Sequence, residues 1–176
     1  PYIDASDSEL VFASKRTYVE DFEAYIANVF YADKKGEWDP ALPLPVNTYD
    51  NEEVMGMTPS GEDILVYADG DYFTNDIKRV NRKGSKFNDA ESSELPLDLN
   101  TDGIEMGACL SKDGNSLYFA SDRRGGRGGL DLYVAKKDAG GSWMAAEPLS
   151  DKINTEYDEN FPSLSVDGKI LYFASK

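Results

Sequence analysis

The sequence predicts an all-β protein made of four-stranded β-propeller blades, about three of them in succession. Three observations predict it. The pair Asn-Thr recurs at Asn47-Thr48, Asn100-Thr101 and Asn154-Thr155, at steps of 53 and 54 residues. Each Asn is followed five positions later by a glutamate (Glu52, Glu105, Glu159) and nine positions after that by a glycine (Gly61, Gly114, Gly168). Each glycine leads into a run such as Leu117-Tyr118-Phe119-Ala120 or Leu171-Tyr172-Phe173-Ala174, and a further copy, Leu10-Val11-Phe12-Ala13, opens the chain. A period of this length built from short strands is the signature of propeller blades.

The elements of one period follow in order. An inner strand is expected at 54–57, 107–110 and 161–164. It ends in a tight turn, Pro59-Ser60-Gly61, Lys112-Asp113-Gly114 or Val166-Asp167-Gly168. Asp-Gly between apolar runs is a strong hairpin signal because glycine adopts positive φ without a Cβ clash. The second strand is apolar nearly throughout, as expected for a strand covered on both faces by neighbouring blades. A polar connection comes next; in the third unit it is glycine-rich, with Arg123, Arg124 and Arg127. In the second unit 69–75 stands in its place, and in the first 15–23, which contains no glycine. Third strands are expected at 25–32, 76–81 and 130–135. Fourth strands are expected to start near Trp38, Phe87 and Trp143 and to run through a Pro-Leu step to the next Asn-Thr.

These boundaries make 1–176 a single partial propeller with units 1–48, 49–101, 102–155 and the beginning of another at 156–176. The chain is expected to start and stop at the second strand. Three units leave two apolar blade faces open, which implies blades supplied by a longer polypeptide or by a second copy.

Composition narrows the function classes. Thirty-three acidic against eighteen basic residues give a formal charge of −15, which opposes nucleic-acid binding and docking on anionic lipid. With 40% hydrophobic and 12% aromatic residues the chain can build a core. No run of apolar residues is long enough for direct membrane insertion as a helix. Cys109 is the single cysteine, so no intrachain disulfide forms. It is expected to be a small buried hydrophobe, because the chain has no histidine to activate it. No catalytic set of nucleophile, base and orienter is visible, and no cofactor is expected.

Several candidates remain. Glu52, Glu105 and Glu159 precede the inner strands, so repetition places them either as an acidic ring at a channel mouth or as carboxylates fixing the blade-to-blade turn. Recurrence favours the turn. Asn47, Asn100 and Asn154, with Gly61, Gly114 and Gly168, are expected to be structural. Asp98, Asn100 and Asp102 imitate the first half of an EF-hand loop, but its twelfth position is Cys109 rather than glutamate, so calcium there is a minor reading. Arg123, Arg124 and Arg127, with Tyr157, are the loop-borne recognition candidates, the glycine-rich connection being read mainly as a flexible hairpin. Trp38 and Trp143 recur at blade positions and are expected to pack.

The stretch Leu110-Ser111-Lys112-Asp113-Gly114-Asn115-Ser116-Leu117-Tyr118-Phe119-Ala120-Ser121-Asp122-Arg123, followed by Gly128-Gly129-Leu130-Asp131-Leu132-Tyr133-Val134, resembles the WD40-like or PD40 repeat related to the TolB propeller. Residues Trp143, Pro148-Leu149, Ile153-Asn154-Thr155 and Asp158-Glu159-Asn160-Phe161-Pro162 are similar to the version in Bacteroidetes OmpA-family envelope proteins, among them the peptidoglycan-anchoring component of type IX secretion. The likeness is strong over 99–176 and weak over 1–98, where Ser60-Gly61 replaces Asp-Gly. It implies a non-catalytic scaffold that binds other envelope proteins, periplasmic and outer-membrane-associated. Peptidoglycan would be reached only through domains outside this segment. The same repeat occurs in propellers that gate serine hydrolases, so a substrate-gating propeller is the alternative and a carbohydrate-binding propeller the third.

Overall fold

The computed structural model describes residues 1–4, 6–58, 60–69, 75–83, 86–87 and 95–176. The second unit's connection over 70–74, together with Pro59 and Ser85, lies outside the described residues. Fifteen strands and one short 3-10 turn, Glu20–Phe22, make up the described regular structure.

The first blade is β1 (Tyr2–Ile3), β2 (Glu9–Val19), β3 (Ala24–Lys35) and β4 (Glu37–Trp38), with β5 (Leu42–Pro43) also paired to β3. The second is β6 (Glu52–Met57), β7 (Asp63–Asp69), β8 (Asn75–Lys83) and β9 (Lys86–Phe87). The third is β10 (Glu105–Leu110), β11 (Ser116–Ser121), β12 (Asp131–Lys136) and β13 (Glu147–Pro148). The fourth sheet is the pair β14 (Glu159–Leu164) and β15 (Leu171–Ser175). All pairings are antiparallel between sequence neighbours, apart from the β3–β5 contact. The inner strands β6, β10 and β14 lie side by side, and β1 lies beside β6.

Two details differ from the sequence reading. The first blade contains the end of an inner strand, because Tyr2 and Ile3 pair with Val11 and Leu10; two residues carry too little pattern to be read as a strand. The segment 15–23 is not a plain connection. It extends β2 and β3 into a long hairpin in which Thr17, Tyr18 and Val19 face Ile26, Tyr25 and Ala24. The alternation of β-branched and aromatic residues there favours pairing, and Glu23 closes the turn at φ 49°.

Burial follows strand alternation across two blade interfaces. Ile64 and Val66 of β7 join Val11, Val29, Leu44 and Val80 between the first and second blades. Leu65, between them in sequence, points the other way into a cluster with Ile77, Leu99, Leu117, Phe119 and Tyr133. Successive side chains of a strand leave opposite faces, so a strand sandwiched between blades must be apolar at every position. On β15 the same kind of run is uncovered, and Tyr172 and Phe173 are exposed.

The hairpin turns repeat one device. Ser111 Oγ donates to Asp113 (2.6 Å) and accepts from the amide of Ser116 (2.9 Å). Ser165 does the same with Asp167 (2.7 Å) and Ile170 (3.0 Å). In the second unit Thr58 Oγ1 accepts from Asp63 N at 3.1 Å. The following glycines, Gly61, Gly114 and Gly168, have φ of 74°, 67° and 70°, where a side chain would be strained.

Candidate functional site

The repeated Asn-Thr and Glu form one hydrogen-bonded unit at each blade junction. Asn47 Oδ1 accepts from Val29 N and its Nδ2 donates to Val29 O, both at 2.8 Å. Asn100 does this to Ile77 (2.9 and 3.2 Å) and Asn154 to Leu132 (2.9 and 3.0 Å). A primary amide presents one donor and one acceptor, as a peptide group does, so each Asn supplies a strand-like partner to the blade's third strand.

The threonines then hold the glutamates. Thr101 donates its amide (2.8 Å) and hydroxyl (2.7 Å) to Glu105, and Thr155 does so to Glu159 (2.8 and 2.6 Å). Thr48 donates both groups to Glu52, which also accepts from Asn28 Nδ2 (3.0 Å) of the preceding blade. All three glutamates are completely buried. Their carboxylates are therefore engaged by the turns in the structural role that recurrence favours. The pKa consequences differ. Burial pushes Glu52 upward despite its bonds. At Glu159 burial also acts upward, but the bonds from Thr155 and Ser175 outweigh it and hold the group low.

The glycine-rich connection is a packed segment, not a flexible hairpin. A Cβ at Gly128 would lie 1.8 Å from Tyr157 O, and one at Gly129 2.3 Å from Asp158 Oδ1. Leu130 N donates to Asp158 Oδ1 (3.1 Å) and Glu159 N to Leu130 O (2.7 Å). The glycines serve close approach to the next blade, which spacing in the sequence does not reveal.

Among the recognition candidates Arg123 has a different job. Its guanidinium donates to Asp98 O (3.0 Å), Leu99 O (2.6 Å), Ser121 Oγ (3.0 Å) and Glu105 (3.4 Å), and lies 4.8 Å and 5.0 Å from the ring centroids of Phe119 and Tyr133. It clamps the exit of the second blade to the third. Arg124 and Arg127 are exposed, with Arg127 Nη1 3.6 Å from Asp151, and the Tyr157 carbonyl oxygen stands over Gly128.

The second-to-third-strand connections and the blade junctions share one end of the sheets. Asp122 and Ile104 exchange bonds across it, and Ala27 N donates to Asn51 Oδ1. At this loop face Tyr18 (51%), Tyr25 (60%), Tyr49 (78%) and Tyr157 (57%) are exposed. Tyr18 and Tyr25 form an edge-to-face pair, 5.1 Å between centroids. Sequence reasoning finds Tyr157 and misses the other three: 15–23, which carries Tyr18, reads as a polar connection, Tyr25 reads only as the start of the third strand, and Tyr49 stands outside the repeated motif. The Thr17-Tyr18-Val19 alternation was the available signal.

The calcium candidates diverge. Asn100 is committed to Ile77, Asp98 Oδ2 accepts from Ala146 N (3.0 Å), and Asp102 is exposed. Among the described residues no group of three or more His, Cys, Asp or Glu could hold a metal ion. At the opposite end, a cavity of about 190 Å³ is lined by the inner strands, with Tyr2, Met57, Cys109, Lys112, Ser163 and Ser165 on its wall. Burial pushes the Cys109 thiol up to about 12, so it remains protonated and unreactive.

No family model matches the chain, and no curated protein sequence matches it. Among solved structures it is similar to a protein assigned as TolB from Agrobacterium tumefaciens, with a TM-score of 0.68 and 18% identity over 99% of this chain and 52% of that one. The fold is TolB-like. The chain spans about half the length of that structure. Blades of a TolB-like propeller are thus shown by topology and by likeness.

Proposed function

We propose that this chain is a non-catalytic protein-interaction scaffold of the Gram-negative envelope that binds its partners through the loop face. The observation carrying this reading is the set of exposed side chains on that face: Tyr18 and Tyr25 on the β2–β3 hairpin, Arg124 and Arg127 on the glycine-rich connection, and Tyr49 and Tyr157 on junction turns held by the Asn-Thr-Glu units. Tyrosine and arginine on a pre-organised backbone supply contact area and directional bonding at low entropic cost. The setting is the one implied by the repeat's resemblance to Bacteroidetes envelope proteins. That is a periplasmic, outer-membrane-associated complex of the type IX secretion kind, with peptidoglycan held by other domains.

A photo-crosslinking residue placed in the native full-length protein tests it, at Tyr157 and, as a control, at Lys112 on the opposite end. Crosslinks to envelope proteins from position 157 alone support the reading. Equal yields from both positions, or none from 157, overturn it. The same exposed tyrosines favour carbohydrate binding as a second reading, since sugar rings stack on aromatic faces. Saturation-transfer NMR with envelope glycans separates the two.

A further inference from the structure

We infer that Asp131 and Tyr133 bind a single buried water beneath Gly126, and that this water fastens the glycine-rich connection to the third blade. The two residues alternate along β12 and so project from the same face of the sheet. Both are almost fully buried, at 1% and 3% exposure. Asp131 Oδ2 accepts from Arg127 N (2.7 Å) and Gly128 N (3.0 Å), which shapes the connection. Asp131 Oδ1 and Tyr133 Oη, by contrast, have no hydrogen-bond partner among the described residues. A Cβ at Gly126 would lie 2.1 Å from Asp131 Oδ2 and 3.3 Å from Tyr133 Oη. The Asp131 carboxylate, whose bonded oxygen Oδ2 is the nearer one, and the Tyr133 hydroxyl therefore both lie under Gly126, where any side chain would collide with them, and Gly126 itself is exposed.

The chemistry selects the guest. Burial, then the neighbouring Asp131 charge, raise the Tyr133 hydroxyl above its ordinary range, so Oη retains its proton and can donate. A hard cation would need six or more oxygen ligands; two oxygens converge here, and the Arg123 guanidinium lies 5.0 Å from the Tyr133 ring. Water needs two to four polar partners and can accept from Tyr133 while donating to Asp131. Such a bridge holds the connection rigid and sets the positions from which Arg124 and Arg127 project.

The test is water–protein NOE spectroscopy with amide hydrogen exchange on the wild-type protein and on Tyr133→Phe. The expected result is a long-lived water NOE at the Gly126 amide that Tyr133→Phe abolishes. With it, exchange of the Arg127 and Gly128 amides should quicken by about tenfold while those of β11 are unchanged. Persistence of the NOE in Tyr133→Phe, or its absence from the wild type, overturns the inference. Should Tyr133→Phe fail to fold, a high-resolution crystal structure of the wild type soaked in rubidium salt decides. Non-anomalous density bonded to both atoms supports the water. Anomalous density, or Tyr133 Oη bonded directly to Asp131, refutes it.

Discussion

At the scale of single residues, stability lies in polar groups that a sequence reader would place on the surface. Each junction Asn satisfies a donor and an acceptor of one third-strand residue, so its loss orphans two buried groups. Asn154→Ala should cost about 1–3 kcal/mol in urea unfolding, whereas Asn115→Ala, in a solvated turn, should cost much less. The junction glutamates should give opposite pH signatures. Glu159 is held low, so its contribution is present above the unfolded value of about 4.3 and is lost as pH falls through the lower folded value. Glu52 is raised, so its contribution is complete below about 4.3 and is lost as pH rises through the raised folded value. Urea melts at a series of pH values should therefore show Glu159→Gln removing an acid-side loss, and Glu52→Gln removing a loss toward neutral pH. Arg123 divides from its neighbours in the same way. Arg123→Ala leaves Glu105 without its cation and should cost about 3–5 kcal/mol; Arg124→Ala should leave stability unchanged and act only on partner binding.

At the scale of elements, the glycine-rich connection and the long first-blade hairpin are the instructive pair. The connection reads as flexible because glycine is permissive, yet its glycines are where two backbones meet. Gly128→Ala forces a Cβ into Tyr157 O and should destabilise the third and fourth blades by about 1–3 kcal/mol, read by thermal unfolding. The same change at Gly125, where a Cβ meets nothing within 4 Å but φ is 102°, should cost about 1–2 kcal/mol from backbone strain alone. The far part of the hairpin, 15–23, reads as a connection because Lys15 and Arg16 interrupt its apolar pattern. Arg16 nevertheless lies over the Phe30 ring at 4.3 Å, so its stem and guanidinium cover aromatic surface while the strand continues. Replacing Tyr18 and Tyr25 together by serine should leave the blades folded by circular dichroism and weaken the loop-face crosslinks.

At the scale of the whole molecule, the blades are coupled by alternating apolar strands, so deep cavities should be felt across a blade interface. Phe119→Ala opens the second-to-third interface and should cost about 3–5 kcal/mol, with lost amide protection in β7 as well as in β11. The sequence by itself determined the fold class, the repeat, the turn glycines and the structural character of the junction Asn-Thr pairs. Each of these is a local requirement, a φ, a side-chain period or a short-range hydrogen bond, and local requirements leave a mark at fixed spacing. It also showed that Arg123, Arg124 and Arg127 belong to one connection. Only the tertiary structure separated them, since Arg123 meets Asp98 and Leu99 from the preceding blade and its two neighbours do not. The burial of Glu52, Glu105 and Glu159, the convergence of Asp131 and Tyr133 under Gly126, and the gathering of Tyr18, Tyr25, Tyr49 and Tyr157 on one face were decided in the same way. They depend on how blades stack, and stacking joins residues far apart in the chain that no spacing rule connects.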